Sequence, residues 1–487
     1  MTNQAAEAKG RALIVEKALI KGQWVAPGPS FEVDNPSEES LLGTVPSLDA
    51  AQVSGAVDAA AQAFPDWSRT KVQDRMKILG RWAALIEANE AGLGALISLE
   101  NGKPFEEAVG EVRYANSFIS WFARHAETLT KGDVIMTDAP ARVLTSKDPV
   151  GPVAAITPWN FPAAMITRKL SAAFAAGCTV VLKPASATPF TALALAKLAL
   201  EAGLPEGVLH VVTGSSAVVG GVLTASPLIR KLSFTGSTSV GRELAAQCAP
   251  TLKKLSMELG GAAPLVVFAD ADIDRAVAGA IAGKFRASGQ TCVCPNRIYV
   301  AAAIRDRFAE ALTAAVKALK VGKPFEDGVK IGPLIDGKGV AKVEDHLQRL
   351  TAGGARVLCG GERHELGGRF FQPTVTLGGD DSLLCEEETF GPVAPLFSFD
   401  TDDAAIERCN ASPFGLAAYL FTEDLDRALW ASSRIEAGIL GVNTGMVSNA
   451  ANPFGGVKQS GYGREGSVYG LDDYIQIKSV TIPLKAD

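Results

Sequence analysis

The chain has 487 residues, of which 47% are hydrophobic and 21% charged, with a net charge of −6. That length exceeds one ordinary core, so two or three packed lobes are expected. The acidic balance, without any Lys/Arg cluster, argues against a nucleic-acid footprint. Seven cysteines spread from Cys178 to Cys409 argue against a secreted disulfide scaffold and for a reduced, cytoplasmic setting.

In chain order, the N-terminus "MTNQAAEAKGRALIVEK" is interrupted by Glu7, Lys9 and Arg11 and does not read as a signal peptide. Later apolar runs are cut by charge or proline, as Lys197 cuts "TALALAKLAL", so no membrane span is expected. "AAQVSGAVDAAAQAF" and "VQDRMKILGRWAALIEAN" make the segment before Pro149 largely helical. From residue 151 short apolar runs alternate with helical patterns. "GPVAAI", "GCTVVLK", "VLHVVTG" and "IRKLSFTG" read as strands. Pro162 opens one intervening helix, "ATPFTALALAKLALEAG" is a second, and "STSVGRELAAQCA" is a third. Strand alternating with helix predicts a doubly wound parallel sheet.

A second series runs from about Pro264 to Asn443. "PLVVF", "RIYVA", "APLFSF" and "AAYLFT" are its strands; "DIDRAVAGAIAGKFRAS" and "IRDRFAEALTAAVKALK" are amphipathic helices. The fold class is therefore α/β, with two doubly wound lobes hinged at Met257–Gly261. Ligands in such sheets bind at the carboxyl ends of the strands.

Five stretches carry chemistry. In "FTGSTSVG", Gly236 and Ser237 place bare N–H groups near a helix start, which suits a phosphate, although the GxGxxG fingerprint is missing and a tight turn explains the glycine equally well. In "MELGG", Glu258 has apolar neighbours that would raise its pKa toward a general base; taken alone, a surface glutamate at the edge of an inter-lobe loop is the plainer reading. In "TPWNFP", Asn160 stands between aromatics and prolines, as a preorganised oxyanion donor would; an Asx turn is the plainer reading. In "VLKPASATP", Lys183 closes a strand and can reach a ribose or phosphate, or is simply a solvent-facing lysine. In "SGQTCVC", Cys292 and Cys294 lie one residue apart.

Together, and in this order, these stretches closely resemble the aldehyde dehydrogenase superfamily over nearly the whole chain, with "EETFGP" and "NPFGGVKQSGYGREG" added. "MITRKLSAAFAAGCTVVLKPAS", "KFRASGQTCVCPNR" and "NTGMVSN" are most similar to bacterial succinate-semialdehyde dehydrogenases. The resemblance implies a cofactor-binding domain over 1–133 and 151–260, a catalytic domain over 261–445, and oligomerisation strands over 134–150 and 470–487. Subunit pairing would cover the exposed edges of those strands. A homotetramer is the family expectation, with a dimer as the alternative.

The resemblance also implies roles. Cys292 matches the nucleophile, Glu258 the base that activates water, and Asn160 the oxyanion hole, together with the Cys292 backbone N–H. Lys169 and Glu465 match a proton-relay pair. Thr157, Trp159, Asn160, Lys183, Ser186, Gly236, Ser237, Leu259, Glu388 and Phe390 match cofactor contacts. Ser186 stands where many NAD-using relatives carry a glutamate that would repel a 2′-phosphate, so NADP⁺ is expected to be accepted alongside or ahead of NAD⁺. Arg168, Arg286 and Ser448 match contacts to an anionic tail, and a guanidinium fork suits a carboxylate. Succinate semialdehyde is the first expectation; glutarate semialdehyde and sulfolactaldehyde are open alternatives. A CoA-acylating or non-catalytic relative is disfavoured, because Glu258, Cys292 and Asn160 are all present. The four histidines are scattered singly, so no metal is expected. Cys294 is either a small buried residue or a redox partner of Cys292.

Overall fold

The computed structural model describes residues 3–138 and 141–484. An eight-stranded sheet organises the first lobe. At its centre lie parallel strands in the spatial order Leu209–Val211, Val180–Lys183, Val153–Ile156, Lys231–Thr235 and Lys254–Glu258. The chain starts at Val153–Ile156, builds outward on one side, then returns to build on the other. The reversal falls between Val153–Ile156 and Lys231–Thr235, the point at which doubly wound sheets open a ligand crevice. Antiparallel strands flank this centre: Ala18–Ile20 pairs with Leu209–Val211, and Gly461–Tyr462 with Lys254–Glu258. The early strands Ala18–Ile20 and Gln23–Val25 have no counterpart in the sequence reading, in which the segment before Pro149 is largely helical and strands are expected only over 134–150.

The second lobe holds a seven-stranded sheet in the order Arg356–Cys359, Thr374–Leu377, Val393–Phe399, Pro295–Ala301, Ala263–Val267, Ala417–Phe421 and Ile439–Val442. Each lobe has its own apolar core. Trp82, Ile97, Phe122 and Phe174 centre the first, and Leu265, Tyr299, Phe308 and Leu396 the second. Glu258 ends a strand of the first sheet and Ala263 begins a strand of the second, so only residues 259–262 join the two at this point. The carboxyl end of one sheet thus meets the amino end of the other. The carboxyl-end expectation applies to the first lobe only.

Helix Ala164–Ala176 is buried along its whole length, under helix Phe105–Leu129. It begins two residues after Pro162, which lies in the preceding turn instead of opening the helix. Gly177, at φ +97°, ends it in the left-handed conformation that glycine adopts without Cβ strain. A three-stranded antiparallel sheet of Val134–Met136, Ala141–Pro149 and Ile475–Pro483 stands apart from both lobes. Residues 139–140 and 485–487 of the expected oligomerisation strands lie outside the described residues.

Candidate active site

The segment from Arg286 to Cys294 bends sharply. Ala287, Ser288 and Gly289 have φ of 51°, 56° and 76°, three consecutive left-handed residues, two of them carrying a Cβ. Such backbone is strained and persists only where its surroundings over-determine it. Here they do. Ala287 N–H donates to Glu107 Oε1 at 2.7 Å, Ser288 Oγ donates to the Gly332 carbonyl at 3.0 Å, and Gln290 Oε1 accepts Ile335 N–H at 2.9 Å. At Gly289 a Cβ would come within 2.1 Å of the Gly391 carbonyl oxygen. The loop therefore delivers Cys292 to one place.

Cys292 is half-buried and lines a cavity of about 350 Å³ between the lobes. Burial pushes its thiol up to about 12; Glu388 and Glu258 add to this, while Arg168 and Arg286 oppose it. Asn160 lines the same cavity. Its Nδ2 donates to the Gln290 carbonyl at 3.1 Å, which ties the amide to the Cys292 loop. The Asn160 carbonyl accepts Lys103 Nζ at 2.9 Å, and Lys103 forms a buried ion pair with Glu111. Glu258 is 2% exposed, and neither of its carboxylate oxygens has a hydrogen-bond partner. Burial raises it well above the usual carboxylate range, and the Glu465 charge adds to the effect.

Behind Glu258 lies a buried charge cluster. Glu465 ion-pairs with Arg168 and, at 2.5 Å, with Lys169; Lys169 also donates to Ser233 Oγ at 3.0 Å. Arg168 stacks 4.1 Å over the Phe454 ring and donates Nη2 to Met165 Sδ, which leaves Nη1 without a partner. Arg286 lies 5.1 Å over the Phe161 ring, with an unpartnered buried Nε. Ser448 is half-buried beside the Tyr114 hydroxyl. The two arginines thus differ. Arg168 is largely engaged by protein, and Arg286 has weak partners only.

Trp159, Gly236, Ser237, Leu259, Glu388 and Phe390 line the same cavity as Cys292. Trp159 and Phe390 meet edge-to-face at 5.6 Å. Glu388 Oε1 accepts Gly261 N–H at 2.9 Å, and burial lifts its carboxyl to about 7. Ser237 caps the eleven-residue helix Thr238–Cys248. Gly236 is not a bare donor as expected, because its N–H is taken by the Glu258 carbonyl at 3.0 Å; the first helical turn after Ser237 remains. Lys183 and Ser186 lie outside that lining, at the carboxyl end of the neighbouring strand. Lys183 is buried, which lowers its ammonium to about 8, and Ser186 is exposed. Thr157 bridges the two regions: its N–H donates to the Lys183 carbonyl at 3.1 Å, and its Oγ1 is unpartnered.

A dinucleotide suits this surface. A helix start, an apolar slot walled by Trp159 and Phe390, and a buried carboxylate at Glu388 follow one another along the crevice. A Cβ at Gly260 would come within 2.7 Å of Glu388 Oε2, so glycine keeps the slot open. Cys294 points elsewhere. It is buried, unbridged, and donates Sγ–H to the Lys284 carbonyl at 3.2 Å. Among the described residues no group of three or more His, Cys, Asp or Glu is placed to hold a metal ion. Sequence reasoning did not single out Lys103, Glu107, Glu111, Gln290 or Lys342. The acidic residues of helix Phe105–Leu129 belong to no motif, and nothing local distinguishes them.

Residues 24–480 match the aldehyde dehydrogenase family. The chain is 52% identical over 475 residues to the NADP(+) succinate-semialdehyde dehydrogenase GabD of Escherichia coli (strain K12), covering 97% of this chain and 98% of that one. It is 50% identical over 479 residues to 3-sulfolactaldehyde dehydrogenase of Pseudomonas putida, covering 98% and 99%. A solved structure of an E. coli NADP-dependent enzyme superposes with a TM-score of 0.96 at 52% identity, over 97% of this chain and 99% of that one.

Proposed function

The chain belongs to the aldehyde dehydrogenase family, and we propose that it oxidises a small anionic semialdehyde, succinate semialdehyde first, with NADP⁺ or NAD⁺ as hydride acceptor. The observation that carries the tail preference is Arg286, a guanidinium close enough to act on the Cys292 thiol, with a buried Nε that no protein group satisfies. An unpaired buried donor calls for an acceptor from the substrate. The names of the relatives support the same reading, with sulfolactaldehyde as a sulfonate alternative and glutarate semialdehyde as a longer one.

The chemistry follows from the residues. Cys292 releases its proton to solvent and attacks the aldehyde carbon through Sγ as the thiolate. The carbonyl oxygen becomes a thiohemiacetal oxyanion, and the Asn160 amide, preorganised in a dry cavity, stabilises it. Trp159, Leu259, Glu388 and Phe390 would hold a nicotinamide, which would serve as the hydride acceptor. Hydride loss from the thiohemiacetal leaves a thioester on Cys292, so one hard oxidation becomes two easier steps. Glu258 then takes a proton from water, which attacks the thioester and releases the carboxylic acid. Lys169 and Glu465 connect Glu258 to the interior relay. Lys183 and the exposed Ser186 would meet the adenosine ribose, with no acidic side chain at Ser186 to repel a 2′-phosphate.

A homotetramer is part of the reading. Val134, Ile135 and Met136 on one edge strand, and Ile477, Val480 and Ile482 on the other, are exposed, as strands awaiting a partner would be. All seven cysteines are unbridged, which supports a reduced, cytoplasmic setting. No helix among the described residues is long and apolar enough to cross a membrane.

The test is a kinetic panel read at 340 nm with both cofactors, with and without CoA. Arg286→Ala should raise KM for succinate semialdehyde far more than for butanal. Equal effects on the two aldehydes would refute the tail assignment, and activity that requires CoA would refute hydrolysis.

A further inference from the structure

Helix Phe105–Leu129 turns one face to the site. Glu107, Glu111, Tyr114 and Phe118 follow one another at four, three and four residues, the spacing of a single helical face. Three of them hold something. Glu107 holds the Ala287 N–H beside Arg286. Glu111 accepts Ala163 N–H at 2.9 Å and pairs with Lys103, which holds the Asn160 carbonyl. Phe118 lies 6.0 Å from the Arg168 guanidinium.

Tyr114 is the exception. Its ring is fixed edge-on against Phe118 at 4.9 Å. Its hydroxyl is fully enclosed and closes no hydrogen bond of good geometry. Arg168 and Ser448 lie within hydrogen-bond reach of that hydroxyl, and the Arg286 charge acts on it as well. Arg168 Nη1 and Arg286 Nε are also buried and unpartnered. Buried polar groups in folded proteins are nearly always paired. The Tyr114 hydroxyl, Arg168 Nη1 and Arg286 Nε come from three separate elements, and both guanidiniums are close enough to act on the Cys292 thiol; an acceptor with several oxygens would satisfy all three. Glu465 cannot supply it, since its carboxylate is committed to Arg168 Nε and Lys169.

We propose that Tyr114 is a specificity-determining residue, donating its hydroxyl to an oxygen of the substrate's anionic tail beside the two arginines. The inference rests on the reading of the site as one for anionic semialdehydes. It gives the tail pocket a neutral donor on a rigid ring, supplied by the first lobe's helical layer, opposite Arg286 from the second lobe. A planar carboxylate or a tetrahedral sulfonate has oxygens enough for all three donors. An alkyl end such as that of butanal leaves all three unpaired, and sites built to hydrogen-bond discriminate strongly against ligands that cannot.

Tyr114→Phe tests this, since it keeps the ring and its contact with Phe118. The ratio of kcat/KM for succinate semialdehyde to that for butanal should fall roughly tenfold or more, the effect of one hydrogen bond to a charged group. Inhibition by succinate should weaken by a similar factor. The Tm without ligand should hold level or rise, because an unpaired buried hydroxyl has been removed, while the rise in Tm caused by succinate should shrink. A fall in the unliganded Tm with equal losses on both aldehydes would mark Tyr114 as structural and overturn the proposal. A wild-type enzyme without preference for the anionic aldehyde would sink the underlying reading and this inference with it. A preference that survives Tyr114→Phe intact would overturn this inference alone.

Discussion

Glu258 and Glu465 are two buried carboxylates that their surroundings push in opposite directions. Burial raises Glu258, and the charge of Glu465 adds to it. Glu465 meets the same burial, but Arg168 and Lys169 outweigh it and hold the carboxyl below its ordinary value. A split of this kind separates a group that exchanges protons from one that stays charged.

The first consequence concerns Glu258→Gln. Deacylation loses its base, so steady-state kcat should fall by about 10²–10⁴-fold. A burst of about one equivalent of reduced cofactor per site should survive in rapid-mixing experiments, since thioester formation does not need the attacking water. In the wild type, Glu258 must be ionised to accept the water proton. Its folded pKa is raised, so the deacylation rate should climb as pH rises through that raised value and be lost as pH falls through it. The stability sign is opposite. Between the ordinary carboxylate value and the raised one the folded state holds the proton and the unfolded state does not, so Glu258 lowers stability as pH rises across that window. Denaturation across pH should show this component vanish in the Gln variant.

Glu465→Gln acts on the same pair from the other side. It removes the charge that repels ionised Glu258 and releases two cations that favour it. The acid limb of the kcat profile should therefore move to lower pH. Breaking the buried pairs leaves Arg168 and Lys169 without their carboxylate, and stability should drop by roughly 3–5 kcal/mol. Urea melts and a pH–rate profile check the two effects separately; an acid limb moved upward would count against the arrangement.

Ser186→Glu concerns the cofactor. Ser186 is exposed at the end of the turn after Lys183, so a longer side chain has room. A carboxylate there should oppose a 2′-phosphate and favour a ribose diol. The ratio of kcat/KM for NADP⁺ to that for NAD⁺ should fall by roughly tenfold, about 1.4 kcal/mol. An unchanged ratio would remove Ser186 from the adenosine end of the site.

Much of the site was legible because its residues sit in short runs whose local chemistry is unusual. Asn160 between aromatics and prolines, Glu258 before paired glycines, and Cys292 after "GQT" are modest signals singly and become legible together, in this order, through the family resemblance. Other parts left no such mark. Glu107, Glu111 and Tyr114 occur on a helix whose periodicity says only that it is amphipathic; which of its carboxylates meet the loop at Ala287 or the turn at Ala163 depends on another lobe or layer. Gly236 illustrates the reverse error: its glycine promised a free N–H, but the neighbouring strand brings the Glu258 carbonyl to it at 3.0 Å.

The sequence by itself determined the two alternating α/β series, because periodicity is a local property, and through the family resemblance of its motifs it named a candidate nucleophile, base and oxyanion amide. Only the tertiary structure decided the state of the charges. Lys169 and Glu465 are 296 residues apart in the chain and 2.5 Å apart in space. Desolvation and ion pairing act through space over a few ångströms. They alone set Glu258 against Glu465, pair Arg168 with Glu465, and leave Arg286 Nε and the Tyr114 hydroxyl buried without a partner.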